Sequence, residues 1–391
     1  MENFSEKKTQ FWLNVAHFTN DIYTGMLSPI MPFIAAKLAF SMAVATVVLS
    51  VSHICTSLLQ PAFGFFADNL RKRAFVFWGL LMTSLFIPFA PRALSVSSLI
   101  LFVVLGSLGS SFFHPQALGF TVKFSKSDVA KNMGMFMCFG TVGFALGPVI
   151  SAGITQLFGL DKISYLSFLG VIVAFSMFFF VPKIKDERET KTQSEFFQTF
   201  REILSNRKVN LLNLIAMLKT LVTTSSCILL PFLWKSSGHS AFYIGFALFA
   251  YNFMGGLGSF ISRKVELKLG TERVFYLSMM SSLPMMLAFI LSYKIHPTVA
   301  LCTFIFMGLI QWMAVPVTMV MAQSVLPQYK SIIGGFINGF SWGVVAIVMT
   351  FVGYVAQAKG IMPVLLVVSA IPATLSYPVV KHLFRLMAKE V

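Results

Sequence analysis

Charge is scarce in this chain, and acidic charge scarcest of all. Charged residues make up 11% of the 391 positions, with 14 Asp and Glu against 30 Lys and Arg. A water-soluble domain carries about 25% charged residues, so most of this chain cannot be one. Cysteine is thin as well. Cys55, Cys138, Cys227 and Cys302 stand far apart with no CxxC spacing, which argues against a disulfide framework and against a thiolate metal site. They are expected to be reduced, buried small residues. A Gly-rich phosphate loop and a nucleotide-binding domain are both absent, so ATP is not the energy source. Within the apolar segments no Ser/His or paired-carboxylate arrangement supports catalysis.

What is abundant is apolar surface. Hydrophobic residues reach 57%, including 43 Phe and 22 Met, and the mean hydropathy is +0.80. About 20 apolar residues cross a bilayer as a helix. Twelve such segments are present, near 11–36, 44–67, 74–91, 96–122, 132–158, 162–181, 209–234, 241–262, 273–293, 297–323, 331–358 and 362–386. The short connections at alternate positions carry one base each: Lys37, Arg92, Lys162, Lys235, Lys294 and Lys359. The other connections and the tails hold nearly all the rest, including Arg71-Lys72-Arg73, Arg263-Lys264 and Lys381. Excess Lys and Arg marks the cytoplasmic side, so both termini are expected there. The net charge of +16 is therefore a topology signal and does not imply a nucleic-acid partner. The N-terminus, polar to about Phe11 and without a cleavage site, is expected to be a cytoplasmic tail rather than a signal peptide.

Residues 182–208 form the one long polar stretch, leaving six apolar segments in 1–181 and six in 209–391. Within it Phe196, Phe197, Phe200, Ile203 and Leu204 share a helical face, which predicts a short amphipathic helix along the cytoplasmic membrane surface. The two blocks look like repeats. Leu13-Asn14 and Pro32-Phe33 recur as Leu212-Asn213 and Pro231-Phe232, while Gly134, Phe136, Gly143 and Gly153 recur as Gly334, Phe336, Gly343 and Gly353. Repeated halves with a binding site where they meet are a transporter pattern.

Asp21 is the one acidic residue inside an apolar segment, and His17 stands one helical turn before it. A carboxylate at the centre of a span costs about 2.5–3.5 kcal/mol by insertion scales, so its retention points to function. Burial raises the proton affinity of a carboxylate and a nearby imidazolium lowers it, so such a pair can titrate near neutral pH. A permanent structural pair is the alternative. Lys219 lies mid-span in segment seven, one position from the repeat-mate of Asp21. It could face Asp21 or an anionic substrate, or reach the surface by snorkelling. His114, just before Pro115, and His53 could line a site or be satisfied by a neighbouring helix. Gln60, Tyr251, Asn252, Gln311, Trp312, Asn338 and Trp342 are the other polar groups inside segments.

Three motifs carry a resemblance. Between segments two and three runs Gly64-Phe-Phe-Ala-Asp68-Asn-Leu-Arg71-Lys72-Arg73, in which Asp68 can pair with the following cations. Segment five holds Gly143, Gly147 and Pro148, preceded by Gly140 and followed by Gly153, a small-residue face with an internal bend. The first motif resembles the signature loop of the major facilitator superfamily, departing from it at Arg71 and Asn69. The second resembles the seal motif of that superfamily's proton-coupled exporters. His17, Asn20 and Asp21 with Leu59-Gln60-Pro61 and Phe113-His114-Pro115 resemble the fosmidomycin-resistance branch.

The resemblance implies an all-α integral membrane protein of twelve spans in two pseudo-symmetric six-helix bundles. It implies a monomer in a bacterial inner membrane, without cofactor, that exports a small molecule in exchange for protons by alternating access. Asp21 and His17 would couple protons; Asn20, Gln60, His114, Lys219, Gln311, Trp312, Asn338 and Trp342 would meet substrate; Gly64, Asp68, Arg71, Arg73, Gly143, Gly147 and Pro148 would govern conformation. Two rivals stay open. One is an exporter of metal ions or chelates, argued from the histidines and from Met133, Met135, Met137 and Cys138, although alternate helical residues point in different directions. The other is a proton-coupled importer on the same fold.

Overall fold

A computed structural model describes residues 5–60, 62–63, 74–126, 128–182 and 193–388. Among these residues the chain is helical throughout, with no strand. Among the described residues ten helices are long and apolar enough to cross a membrane: Ala74–Arg92, Val96–Lys123, Lys131–Phe158, Leu160–Phe180, Arg207–Ser236, Ala241–Leu269, Thr271–Tyr293, Pro297–Val325, Ile332–Lys359 and Ile361–Met387. They occupy the expected positions of spans three to twelve. Span one is two helices, Glu6–Gly25 and Leu27–Lys37, and span two begins with the shorter apolar helix Met42–Leu58. The loop bearing Gly64, Asp68, Arg71 and Arg73 lies outside the described residues, as do Pro61 and the side chain of Phe196.

The irregularities have local causes. Span one breaks at Met26 because Pro29 has no N–H for the carbonyl of Gly25 and its ring crowds that group. The helix Met42–Leu58 ends in a π-helical turn, Ile54–Leu58, whose carbonyls at Cys55 and Thr56 accept from Ser111 Oγ of span four, the second at 2.9 Å. Such wide turns leave carbonyls without their usual helical partner, and a side chain from another helix completes them. Spans five and eleven end alike: Gly159 and Gly360 have φ of +92° and +91°, a backbone region that glycine enters without steric cost.

The chain divides into two compact units. One comprises Met1–Ser41, Val48–Gln193 and Trp234–Phe249; the other Met42–Val47, Ser194–Leu233 and Ala250–Val391. The first is packed around Leu13, Phe77, Phe113, Phe120 and Phe136. The second is packed around Leu212, Phe275, Val317, Phe336 and Leu383. Other large apolar side chains point outward, Phe260 at 80% exposure and Phe179 at 72% among them. In water so many exposed phenylalanines would drive aggregation; against lipid tails they are matched to their solvent.

Two expectations are refined. The amphipathic helix forms as Gln193–Ser205, with Ile203 and Phe200 packed on the second core, Glu202 Oε2 accepting from the Tyr329 hydroxyl at 2.9 Å, and Phe197 exposed. The four cysteines are free, but Cys138 and Cys302 are exposed rather than buried. Both faces of a membrane helix are apolar, so a small apolar residue carries no signal of which face it occupies.

Candidate functional site

Span one brings Asp21 and His17 together as their spacing predicts, and span four adds His114. His17 Nε2 lies 3.3 Å from Asp21 Oδ2, and His114 Nε2 lies 3.1 Å from Asp21 Oδ1. Side-chain exposures are 5% for His17, 14% for Asp21 and 23% for His114, so the cluster is largely screened from solvent. Asn20 Nδ2 donates to Asp21 Oδ1 at 2.9 Å and to Ser110 Oγ at 3.1 Å, which ties spans one and four beside the carboxylate.

The far edges of both imidazoles decide the hydrogen count. His17 Nδ1 is 2.8 Å from the carbonyl of Phe136, and His114 Nδ1 is 2.9 Å from the carbonyl of Ser110. A carbonyl only accepts, so a hydrogen on each Nδ1 satisfies both contacts; at His114 the Ser110 hydroxyl also stands 3.1 Å from that nitrogen. In a neutral ring the remaining Nε2 is then a lone pair. Both Nε2 atoms face carboxylate oxygens at contact distance, and lone pair against lone pair is repulsive in a screened site. One hydrogen on each contact, held by ring or carboxyl, turns both into charge-assisted hydrogen bonds. With both rings set this way, two hydrogens lie between the imidazoles and the one carboxylate. Among the described residues the cluster is also the one group of His, Cys, Asp or Glu side chains spaced for a metal ion, its three donor atoms lying within 4.8 Å of one another.

Span five seats this cluster. The Phe136 ring stacks on His17 with centroids 4.0 Å apart. One turn on, a methyl group at Gly140 would overlap the His17 ring itself. Next along the stripe, a methyl at Gly143 would strike the backbone carbonyl of Phe18, and one at Gly147 that of Ile22. From the other side, a methyl at Gly25 would come within 2.5 Å of the Phe144 carbonyl and 3.3 Å of Pro148. The motif predicted to govern conformation is therefore a seam along which span five touches the backbone of span one.

In the second unit, Lys219 is 7% exposed, midway along Arg207–Ser236. Its Nζ lies 4.9 Å from the Trp312 ring and 6.0 Å from the Trp342 ring. Tyr251, fully buried, is hydrogen-bonded through its hydroxyl to Gln311 Oε1 at 2.9 Å and Thr223 Oγ1 at 3.1 Å.

The profile of the Major Facilitator Superfamily matches residues 13–350. The chain belongs to this superfamily. It is similar to the fosmidomycin resistance protein of Escherichia coli (strain K12), 23% identical over 355 residues covering 89% of this chain and 86% of that protein. It is also similar to YfnC of Bacillus subtilis (strain 168), an uncharacterized transporter of the superfamily, 21% identical over 382 residues that cover 92% and 89% of the two chains. In three dimensions it is similar to the nucleoside transporter NupG, with a TM-score of 0.75 at 13% identity over 96% of this chain and 99% of that one. These are membrane transporters, and the superfamily fold is common to all.

Within that fold the candidates separate. Asp21, His17, Asn20 and His114 converge in the first unit; Lys219, Trp312 and Trp342 converge in the second. Gln311 is tied to Tyr251 within the helix packing, Asn338 is exposed in a π-helical turn, Phe336–Phe340, and Gln60 is partly buried. His53 is not part of the cluster, and Met135 and Met137 point outward, 43% and 48% exposed. Ser110 is the site residue that the sequence reading missed. Its signal was present: it stands one turn before His114, the same relation as His17 to Asp21.

Proposed function

We propose that this protein is a proton-coupled secondary transporter that exports a small organic molecule by alternating access, with His17, Asp21 and His114 as its proton site. The observation that carries this reading is the hydrogen count at the cluster, where two imidazoles committed at Nδ1 turn their other nitrogens to a single carboxylate. A buried group that satisfies its contacts only by taking up protons, and that loses them at a cost, can couple proton movement to a conformational change. The glycine seam supports export, because it matches the motif that proton-coupled exporters of the superfamily carry. The name of the E. coli relative points toward drug resistance. The same reading places the protein as a monomer in a bacterial inner membrane, both termini cytoplasmic, with residues 182–208 linking two six-span bundles.

The test is transport in proteoliposomes with an imposed pH gradient, scored by a pH-sensitive dye and by accumulation of candidate drugs. Wild type is expected to move protons against drug, and Asp21→Asn to lose gradient-driven accumulation while retaining downhill exchange. Uphill transport by Asp21→Asn would exclude Asp21 as the proton carrier. The convergence of three donor atoms favours one further reading, a divalent metal ion as cargo. Wild type that protects a susceptible bacterium against transition metals, and against no organic compound, selects that reading instead.

A further inference from the structure

Lys219 is a lysine that the sequence sets mid-span, and the His17–Asp21–His114 cluster makes no use of it. It lies too deep in Arg207–Ser236 for its ammonium to reach either end of the helix, and it is 7% exposed. Among the described residues its Nζ has no ion pair and no hydrogen bond; its contacts are the faces of Trp312 and Trp342 at 4.9 and 6.0 Å. Indole faces attract a cation but offer it no acceptor. A buried charge held this way stays under-compensated, and burial of an unpaired ion is among the costliest arrangements a fold can keep.

The neighbouring polar atoms are of the same kind. Trp312 Nε1, which only donates, is sealed from solvent beside the Tyr251 hydroxyl. The Tyr251 hydroxyl is already engaged by Gln311 and Thr223. The Trp312 ring is held in place, since a methyl at Gly255 would come within 2.8 Å of it. The ammonium donors of Lys219 are therefore left to spare against the indole faces. Their complement is a negatively charged group with several acceptor oxygens.

We propose that Lys219, Trp312 and Trp342 form the head-group site for an organic anion, a carboxylate or phosphonate whose apolar body lies against the two indoles. Lys219 supplies the charge, while the indole rings exclude water and strengthen the ion pair. The assignment rests on reading the protein as a small-molecule transporter and names the cargo class of that reading.

Binding is measured on the purified full-length protein in lipid nanodiscs by isothermal titration, with tryptophan fluorescence as a second signal. The probes are phenylphosphonate and benzoate, with benzamide and benzylamine as neutral and cationic counterparts of similar shape. Wild type is expected to bind the two anions and not the other two. Lys219→Met is expected to weaken anion binding about tenfold or more, the effect of losing a charged hydrogen-bond partner, and Lys219→Arg to keep most of it. Equal binding of benzamide, unchanged anion binding in Lys219→Met, or no binding of either anion to wild type overturns the proposal. Because no gradient is applied, failure of proton coupling does not affect this result. Conversely, gradient-driven transport confined to neutral or cationic compounds would sink the anion site and leave proton coupling standing.

Discussion

Replacing Gly140 by alanine tests whether span five controls the proposed proton site at His17, Asp21 and His114. The added methyl would collide with the His17 ring, with Nδ1 at 2.8 Å and two other ring atoms closer still. Ordinary contact begins near 3.4 Å, so the ring must move by about 1 Å. It has no free direction: Phe136 stacks on it at 4.0 Å, its Nδ1 is 2.8 Å from the Phe136 carbonyl, and its Nε2 is 3.3 Å from Asp21. Movement of that size removes at least one of the two polar contacts. A hydrogen bond to a charged partner is worth about 1.5–3 kcal/mol, or roughly ten- to a hundredfold in the equilibrium it supports. Proton-driven drug flux in proteoliposomes is expected to fall about tenfold or more. The melting temperature should fall modestly, because helix propensity offsets up to about 1 kcal/mol of the lost contact. Gly134→Ala in the same span, where a methyl meets nothing within 4 Å, is the control and should transport normally. Full coupling in Gly140→Ala, or equal loss in the control, would refute the argument.

Other substitutions separate packing from transport. Gly143→Ala sets a methyl against the Phe18 backbone, which cannot rotate away, so it should lower the melting temperature more than Gly140→Ala does. Ser111→Ala deprives the π-helical turn of span two of the hydroxyl on its Cys55 and Thr56 carbonyls, and a loss of about 1–3 kcal/mol should appear in thermal unfolding of the nanodisc-held protein. Tyr251→Phe strips Gln311 Oε1 of its donor, so stability should fall by a similar amount with little change in anion affinity; a large affinity loss would make Tyr251 a binding residue. Asp161→Asn breaks the 2.6 Å pair with Lys37, but its side chains are 54% and 34% exposed, and the expected cost is under about 1 kcal/mol.

The sequence exposes most of this architecture because lipid enforces it. Apolar runs and their flanking bases mark where helices lie, and a lone Asp21 in such a run stands out by its cost. What the sequence withholds is rotation. Any face of an apolar helix can meet lipid or protein, so Gln311 and Asn338 read alike until one proves buried and the other exposed. Rotation of span four likewise decides whether His114 reaches Asp21, and nothing local to Phe113-His114-Pro115 fixes it. The glycines of span five announce a close approach, yet their spacing names no partner; the backbone of span one appears only once the helices are assembled. The π-helical turn is harder still, since Ser111, which completes it, belongs to another helix.

The hydrogen count also makes the two histidines unequal tools for measuring stoichiometry. In the proposed mechanism each holds its Nδ1 hydrogen against a carbonyl, and each contact with Asp21 is one proton place. Glutamine in place of His114 supplies a side-chain amide that donates to Asp21 without titrating, which closes one of the two places and leaves the His17 contact. His17→Gln closes the other, but also removes the ring stacked on Phe136 and facing Gly140, so it disturbs the seam along with the proton. His114→Gln is therefore the cleaner perturbation. If both places are used in a cycle, the drug gradient sustained at a fixed pH gradient falls, because the work available per drug molecule is proportional to the protons exchanged for it. Halving the protons halves the logarithm of the accumulation ratio. That ratio is read at equilibrium in proteoliposomes, where a slow variant reaches the same end point as a fast one. An unchanged plateau in His114→Gln would show that only the His17–Asp21 contact carries the coupled proton, and would reduce His114 to a residue that positions the carboxylate.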